Sequence, residues 1–444
     1  MIDFSLNPTV KNQTHWHNEI NQFYHPTGKF EPDSFEIVYA GDVLNTTKFG
    51  PILLKEWFYL VKQNGYLIID YKPNEICDWQ KLEQFMWWLW KGQYNILYHS
   101  AITESEREDL DKEKLSSFLN MLNNYYSANL DAKTLLPKEM PVETKPLAKD
   151  GYVRFVCQKK TSTTFEDDSI EKWSFGIITD GSRADWIEGI IDSIRKQNIP
   201  KYEIIICGKY FDRQESDISY IPFNERDSYK GWITKKKNLI ADNAKYENLV
   251  IIHDRMYFDD MWYEGMLKWG NCFEVLGVPQ LFCETGERFG DWIQVENPLP
   301  ERVFDLTLIG GNMEYRDWDK DIPSYGAVTM VKRSLLQQTK FPEDFYWGQP
   351  ESFPIHNEMT TLGYIIRFNP LAITLSKTRS VVTTSWQYEY NPKKLGRLRG
   401  LNPLVLICLH LLHKVGFRKN HPIFNPVRSF LRRKQGIKTH KDFG

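Results

Sequence analysis

The sequence lacks paired cysteines, a secretory amino terminus and any long apolar run. Its six cysteines form no Cys-x-x-Cys pair and do not cluster with histidines. This argues against a disulfide framework and a zinc site, and it favours reduced thiols. Residues 1–6 lack the basic and then apolar build of a signal peptide, and no apolar run reaches the roughly 18 residues that cross a bilayer. We therefore expect a cytoplasmic protein.

The composition is that of a folded protein whose charge is unevenly distributed. The chain has 444 residues, of which 41% are hydrophobic and 26% charged, which suits two or three domains. The net charge is −2, yet residues 391–444 carry 13 Lys and Arg against one acid, Asp442. The apolar stretch 404–412 is too short to span a membrane but suits a surface helix. We predict a basic amphipathic tail that lies on an anionic membrane surface or, alternatively, packs on the rest of the protein.

The clearest pattern is a strand, helix, strand, helix, strand passage between residues 173 and 255. Apolar runs closed by turn signals predict the strands, and apolar residues at helical spacing predict the first helix. A lone acid, Asp254, follows the third predicted strand. Because ligands of such sheets bind at the carboxyl ends of the strands, Asp254 is a candidate binding residue. An ordinary turn acid is the alternative interpretation of Asp254. The predicted strands lie within 173–181, 202–208 and 248–252, and the helices cover 185–197 and residues from 235 onward.

This order of elements resembles the GT-A glycosyltransferases, in particular family 2, over roughly residues 174–390. The resemblance implies that Thr179, Asp180 and Gly208 line a nucleotide pocket and that Lys237 faces the base or a phosphate. Asp254 stands where the family has an Asp-x-Asp-like motif, which implies contact with ribose, phosphate or a divalent metal ion, Mg²⁺ or Mn²⁺. Here the motif has a single carboxylate, and the second strand lacks the terminal acid that contacts uracil in the family.

A second resemblance lies downstream, in residues 345–352. The segment is similar to the family's Trp-Gly-x-x-Glu-Asp acceptor motif, which makes Glu351 the candidate general base, although the second acid of the pair is a serine here. Glu343, Asp344 and Glu358 are rival bases, and a cap or turn acid ahead of a helix is the structural alternative for Glu351. Lys332 and Arg333, which follow another predicted strand, could face phosphate or solvent, and solvent is the commoner case and our expectation.

The first third of the chain resembles a different family, the class I methyltransferases. Residues 33–41 and 63–70 predict two strands joined by a helix and a glycine turn, and residues 151–156 fit the closing strand of that fold. S-adenosylmethionine normally sits against a glycine-rich turn, but residues 1–32 contain Gly28 alone. We therefore expect residues 1–160 to be a degenerate domain without that activity.

These observations predict an α/β protein in which a GT-A, Rossmann-like, nucleotide-sugar-binding domain occupies residues 174–390. A smaller, partial methyltransferase-like α/β domain, 1–160, and a linker, 161–173, precede it, and the basic helical region 391–444 follows. The resemblance implies an inverting glycosyltransferase that moves a sugar from a nucleotide-sugar donor, with UDP favoured, to a hydroxyl of a glycan or lipid-linked glycan in bacterial capsular or other surface polysaccharide synthesis. It implies a weakly required divalent metal and no nucleic-acid partner. The alternatives are an inactive glycan-binding subunit and, less favoured, a methyltransferase.

Overall fold

The chain divides into two compact units. The first unit comprises residues up to Phe165 together with Thr361–Gly363, and the second comprises the remainder from Glu166 onward. This computed structural model describes residues 2–3, 20–108, 112–129, 151–210, 215–224, 232–288, 290–296, 309–320, 322–323, 326–343 and 351–377. The predicted tail, 391–444, and most of the second motif, 345–350, lie outside the described residues.

The described part of the first unit is one mixed sheet with helices packed against it. Its strands lie in the order β1, β2, β3, β5, β4; β1, β2 and β3 are parallel, whereas β5 runs antiparallel to both β3 and β4. The predicted strands of this region are present as β2, β3 and β5, while the resemblance to a methyltransferase stays a prediction. The elements are β1 (Ile2–Asp3), β2 (Phe35–Gly41), α1 (Gly50–Leu60), β3 (Val61–Tyr71), α2 (Trp79–Trp90), β4 (Tyr94–Ile102), α3 (Glu104–Glu108), α4 (Lys112–Asn129) and β5 (Tyr152–Lys159).

The second unit is built around a larger sheet. Among the described residues its strands lie in the order β16, β11, β15, β9, β6, β7, β8, and only β15 runs against the others. Two smaller sheets join β10, β17 and β12, and β13 with β14. The elements are β6 (Lys172–Thr179), α5 (Ala184–Arg195), β7 (Lys201–Gly208), β8 (Ile218–Pro222), α6 (Ile233–Asn243), β9 (Asn248–His253), β10 (Met256–Phe258), α7 (Trp262–Trp269), β11 (Val275–Gly277), β12 (Gln280–Phe282), β13 (Ile293–Glu296), β14 (Ile309–Asn312), β15 (Val328–Lys332), α8 (Arg333–Thr339), α9 (Ser352–Thr361), β16 (Ile366–Phe368) and β17 (Thr374–Ser376).

The centre of this sheet follows directly from the sequence pattern. Residues 173–179 of β6 are all buried, as expected for a parallel strand that is covered on both faces. The isoleucines of α5, at helical spacing, are buried. On β6, a methyl group at Gly176 would lie 2.4 Å from the side chain of Ile240, so glycine allows α6 to pack closely there. The predicted α/β class is confirmed, and the five elements predicted between 173 and 255 are present in the predicted order, with one further strand, β8, between β7 and α6.

The prediction for Lys332 is wrong. Its side chain is fully buried, and its ammonium group donates to both carboxylate oxygens of Asp168 at 2.7 Å and to Asn248 Oδ1 at 2.8 Å. A buried ammonium group requires such partners because its desolvation is costly. These partners come from distant parts of the sequence, so the local pattern contained no sign of them.

In the part of the chain that the structure describes, no helix has the length and apolar character needed to cross a membrane.

Candidate functional site

The predicted site residues of the second unit converge on one edge of its sheet. Thr179 ends β6 and pairs with Gly208 at the end of β7, while His253 ends β9. The loop before β15 reaches the same edge because β15 is antiparallel, and His253 N donates to Ala327 O at 3.1 Å. This edge is the carboxyl end of the parallel strands, where ligands of open α/β sheets bind.

Asp254 lies between the ends of β6 and β9. It is buried, with 4% of its surface exposed. Its Oδ2 accepts a hydrogen bond from Thr179 Oγ1 at 2.9 Å, and its Oδ1 pairs with Arg183 Nη1 at 2.8 Å. The backbone N–H donates to Ile178 O at 3.2 Å. Asp254 is therefore held in a polar cluster at the strand ends and does not point into packed hydrocarbon.

The turn after β6 is shaped by its own side chains. The carboxylate of Asp180 accepts from the backbone N and the hydroxyl of Ser182 at 2.9 and 2.6 Å. Partial burial raises the pKa of Asp180, but these hydrogen bonds and the positive charges of Arg183 and Lys236 outweigh it, so the pKa lies below its ordinary value. Asp180 itself is exposed and carries a negative charge at neutral pH.

Glycine is required where this turn meets the end of β7. Gly208 has a φ of 139°, and a methyl group there would lie 1.9 Å from Thr179 O. Gly181 has a φ of 85°, and a methyl group there would lie 2.7 Å from Lys209 O. Both positions favour glycine by conformation as well as by space. The two loops can therefore approach each other closely at the site.

Lys236 binds the end of β6, a contact that the sequence did not predict. Its Nζ donates to Thr179 O at 2.8 Å, and its side chain is buried. Burial lowers the pKa of Lys236, while the negative charges of Asp180 and Asp254 oppose that shift. The run of lysines at 235–237 indicated a basic helix face, but only the packing of α6 decides which lysine reaches β6.

Lys237 and Glu351 form a second pair at the same edge. Lys237 is fully buried, and its Nζ donates to Gly326 O at 2.8 Å and lies 3.5 Å from Glu351 Oε1. Burial lowers the pKa of Lys237, and the charge of Glu351 opposes that shift. The Glu351 side chain is 15% exposed, so a molecule in solvent can reach its carboxylate.

The rival acids lie in different surroundings. Glu343 Oε1 is 3.3 Å from Asn238 Nδ2, and Glu358 is exposed on α9. Asp344 lies outside the described residues. Of the acids that the structure describes in this region, Glu351 is the one paired with Lys237.

His253 adds a neutral ring to the edge. Burial and then the positive charges of Lys237, Arg255 and Arg183 lower its pKa well below 6.5. Its Nε2 is buried and has no hydrogen-bond partner among the described residues. Three basic side chains therefore lie close enough to the His253 ring to act on its charge.

The described residues do not fit a metal ion held by the protein. Nowhere in the described ranges do three His, Cys, Asp or Glu side chains gather as potential ligands. Asp254, the predicted ligand, has one oxygen on a hydroxyl and the other on a guanidinium group. A divalent ion at Oδ1 would have to displace Arg183 or bind beside its positive charge.

A cavity of about 640 Å³ lies elsewhere, at the amino-terminal end of β7. It is lined by Arg195, Lys201, Tyr202 and Asp217, among others. Arg195 is already bound there by Asp217 at 2.9 Å and by Glu215. This cavity therefore lies at the edge of the sheet opposite to the strand-end cluster.

Comparison with known proteins gives structural similarities alone. No protein-family model and no curated protein matches the chain. Among solved structures, GalNAc-T7 with UDP, GalNAc and Mn²⁺ is similar at 12% identity and a TM-score of 0.36, over 63% of this chain and 56% of the other. S. aureus TarS is similar at 12% identity and a TM-score of 0.31, over 59% and 47%. TarS 1–349 in complex with UDP-GlcNAc gives 13% identity and a TM-score of 0.34, over 60% and 80%. The chain thus spans little more than half of GalNAc-T7 and less than half of the longer TarS chain.

Proposed function

We propose that this protein is a glycosyltransferase that moves a sugar from a nucleotide-sugar donor to a hydroxyl of a glycan acceptor. The observation that carries the proposal is the meeting of two ion pairs, Asp254 with Arg183 and Lys237 with Glu351, at the carboxyl edge of one sheet. The first pair offers positive charge to an anionic leaving group, and the second presents a carboxylate that solvent can reach. Both are needed for transfer from an activated sugar.

In the proposed reaction the donor's nucleotide lies along the ends of β6 and β7, near Thr179, Asp180 and Gly208. The acceptor oxygen attacks the anomeric carbon while Glu351 takes its proton. The bond between that carbon and the phosphate oxygen breaks, and its electron pair leaves with the nucleoside diphosphate. Attack from the face opposite the leaving group inverts the anomeric configuration.

Lys237 has a positioning role in this scheme. It is fully buried, so its ammonium group is not exposed to a nucleotide that binds at the strand ends. By binding Gly326 O and Glu351 together, Lys237 fixes the carboxylate relative to the loop before β15. A base held in place in this way can contribute about 10²- to 10⁴-fold to the rate.

The nucleotide base of the donor and the identity of the acceptor rest on the family resemblance and not on contacts in the structure. UDP is favoured by the family resemblance, although β7 ends in Cys207 and Gly208 with no acid for the uracil. A bacterial surface glycan, including capsule, as the acceptor follows from the same resemblance. The basic region 391–444, which would hold the enzyme on the membrane beside lipid-linked acceptors, is part of the proposal.

An inactive glycan-binding subunit is the second candidate. It is favoured by one observation, the neutralisation of Asp254 by Arg183 at the position expected for a metal ligand. Such a subunit would retain a glycan surface but would turn over no donor.

The test is donor hydrolysis over a panel of UDP-, GDP-, CMP- and dTDP-sugars. We expect slow hydrolysis of at least one donor, and a loss of about 10²-fold or more in Glu351→Gln. Glu358→Gln is the matched control, because it makes the same change to an exposed glutamate seven residues later, and it should keep the wild-type rate. Turnover of no donor, together with retained glycan binding, would favour the inactive subunit.

A further inference from the structure

Arg183 occupies the place where a divalent ion was expected. It is the residue immediately before α5, and its Nη1 binds Asp254 Oδ1 at 2.8 Å. The two partners differ in exposure, since the side chain of Arg183 is 33% exposed and that of Asp254 only 6%. The carboxylate is therefore buried, whereas the arginine side chain is partly open to solvent.

The guanidinium group has unused hydrogen-bonding capacity. Arginine carries five N–H donors in a planar fork. Among the described residues, its recorded hydrogen bond is the one to Asp254, and its remaining contact is with the Trp186 ring, whose centroid lies 5.5 Å from the Arg183 carbon Cζ. That leaves donors free for an anion, and phosphate is a group whose geometry this fork matches.

Further cations surround the pair. Lys377 Nζ lies 5.7 Å from the same Trp186 ring, and Lys236 Nζ binds Thr179 O. Arg255 follows Asp254 in the chain. The pair therefore has further basic residues near it, and nowhere in the described ranges do three or more potential metal ligands gather.

On the premise of the proposed function, we propose that Arg183 binds the donor's diphosphate and takes the part expected of a divalent ion. Asp254 is then a positioning residue that orients the guanidinium group through Oδ1, while Thr179 holds the other oxygen. The leaving diphosphate is stabilised by a cation that belongs to the chain. Nucleotide binding consequently requires phosphate and Arg183 but no added metal.

The experiment measures UDP binding to the full chain by calorimetry, once with EDTA and once with Mg²⁺ or Mn²⁺, with uridine as the ligand that lacks phosphate. We expect the affinity for UDP to agree within about threefold between the two conditions. In Arg183→Ala we expect UDP to bind about tenfold or more weakly, as for the loss of a hydrogen bond to a charged group. Uridine binding should be unchanged in that variant.

Two further variants test whether the effect on UDP binding is specific to Arg183. Arg195→Ala removes an arginine from the other end of α5, where it pairs with Glu215 and Asp217, and it should bind UDP as the wild type does. Asp254→Asn keeps an oxygen that can accept from Arg183, so it should retain UDP binding in EDTA, whereas a metal ligand would lose its function.

The outcomes separate the inference from the function on which it rests. UDP binding that disappears in EDTA, returns with Mg²⁺ and is lost in Asp254→Asn would overturn the role of Arg183 and leave the glycosyltransferase proposal intact. The comparison of EDTA with Mg²⁺ uses the wild-type protein, so it does not depend on whether a variant folds. If UDP, GDP, CMP and dTDP all fail to bind in both conditions, both proposals fail.

Discussion

Replacing Gly326 with alanine tests the position of Glu351 without altering its charge. The added methyl group would lie 2.5 Å from Glu351 Oε1, closer than real Cβ contacts come. An ordinary carbon to oxygen contact is about 3.3 Å, so the carboxylate must move by roughly 0.8 Å. A misplacement of about 1 Å at a reacting group can lower a rate about 10²-fold. We therefore expect a rate about 10- to 100-fold below wild type.

The same substitution should leave the fold intact. Gly326 does not have a positive φ, so alanine suits its backbone. The obstructing atom is the end of a flexible side chain, and replacing glycine also restricts the unfolded chain, which can stabilise by about 0.4–1 kcal/mol. Donor hydrolysis and thermal melting on the same preparation separate these effects. A wild-type rate in Gly326→Ala, beside an inactive Glu351→Gln, would refute the positional argument, because the base would then tolerate displacement.

Three further predictions concern stability. Gly208→Ala should lower the free energy of unfolding by about 3 kcal/mol or more, because it combines a positive φ with a clash against Thr179 O, and urea titration measures this. The pKa of His253 is depressed in the folded state, so protons bind the unfolded chain preferentially and stability falls as pH drops below 6.5, by up to about 1.4 kcal/mol per pH unit. Unfolding between pH 5 and 7.5 should show a weaker dependence in His253→Gln, and identical slopes would contradict the assignment. Lys332→Ala should cost about 3–5 kcal/mol by leaving Asp168 unpaired, and Lys332→Met with Asp168→Asn should recover part of that loss; no recovery would argue against the pairing.

The central strands and the first helix of the second unit were predictable because their determinants are local. The strands β6, β7 and β9 are continuous apolar runs, and α5 carries its apolar residues at helical spacing. Strand ends and turn glycines are also local features, so Thr179, Gly208 and Asp254 could be placed at one edge in advance.

The contacts at that edge could not be predicted, because they join residues that are far apart in the chain. Lys237 and Glu351 are 114 positions apart, and Asp254 and Arg183 are 71 apart. Nothing near Arg183 in the sequence distinguishes it from a solvated residue at the start of a helix. The same is true of Lys332, whose expected exposure was wrong for this reason.

The single acid at the end of β9 has a physical explanation in these long-range contacts. A motif with two or three carboxylates concentrates negative charge, which a divalent ion neutralises. In this chain Asp254 is followed by Arg255 and faces Arg183, so the same position is neutral before any ligand arrives. A metal would have little excess negative charge to bind, whereas a diphosphate would meet a cation already oriented toward solvent. The single carboxylate and the arginines beside it are therefore two parts of one arrangement, and it favours an anionic ligand over a cationic one.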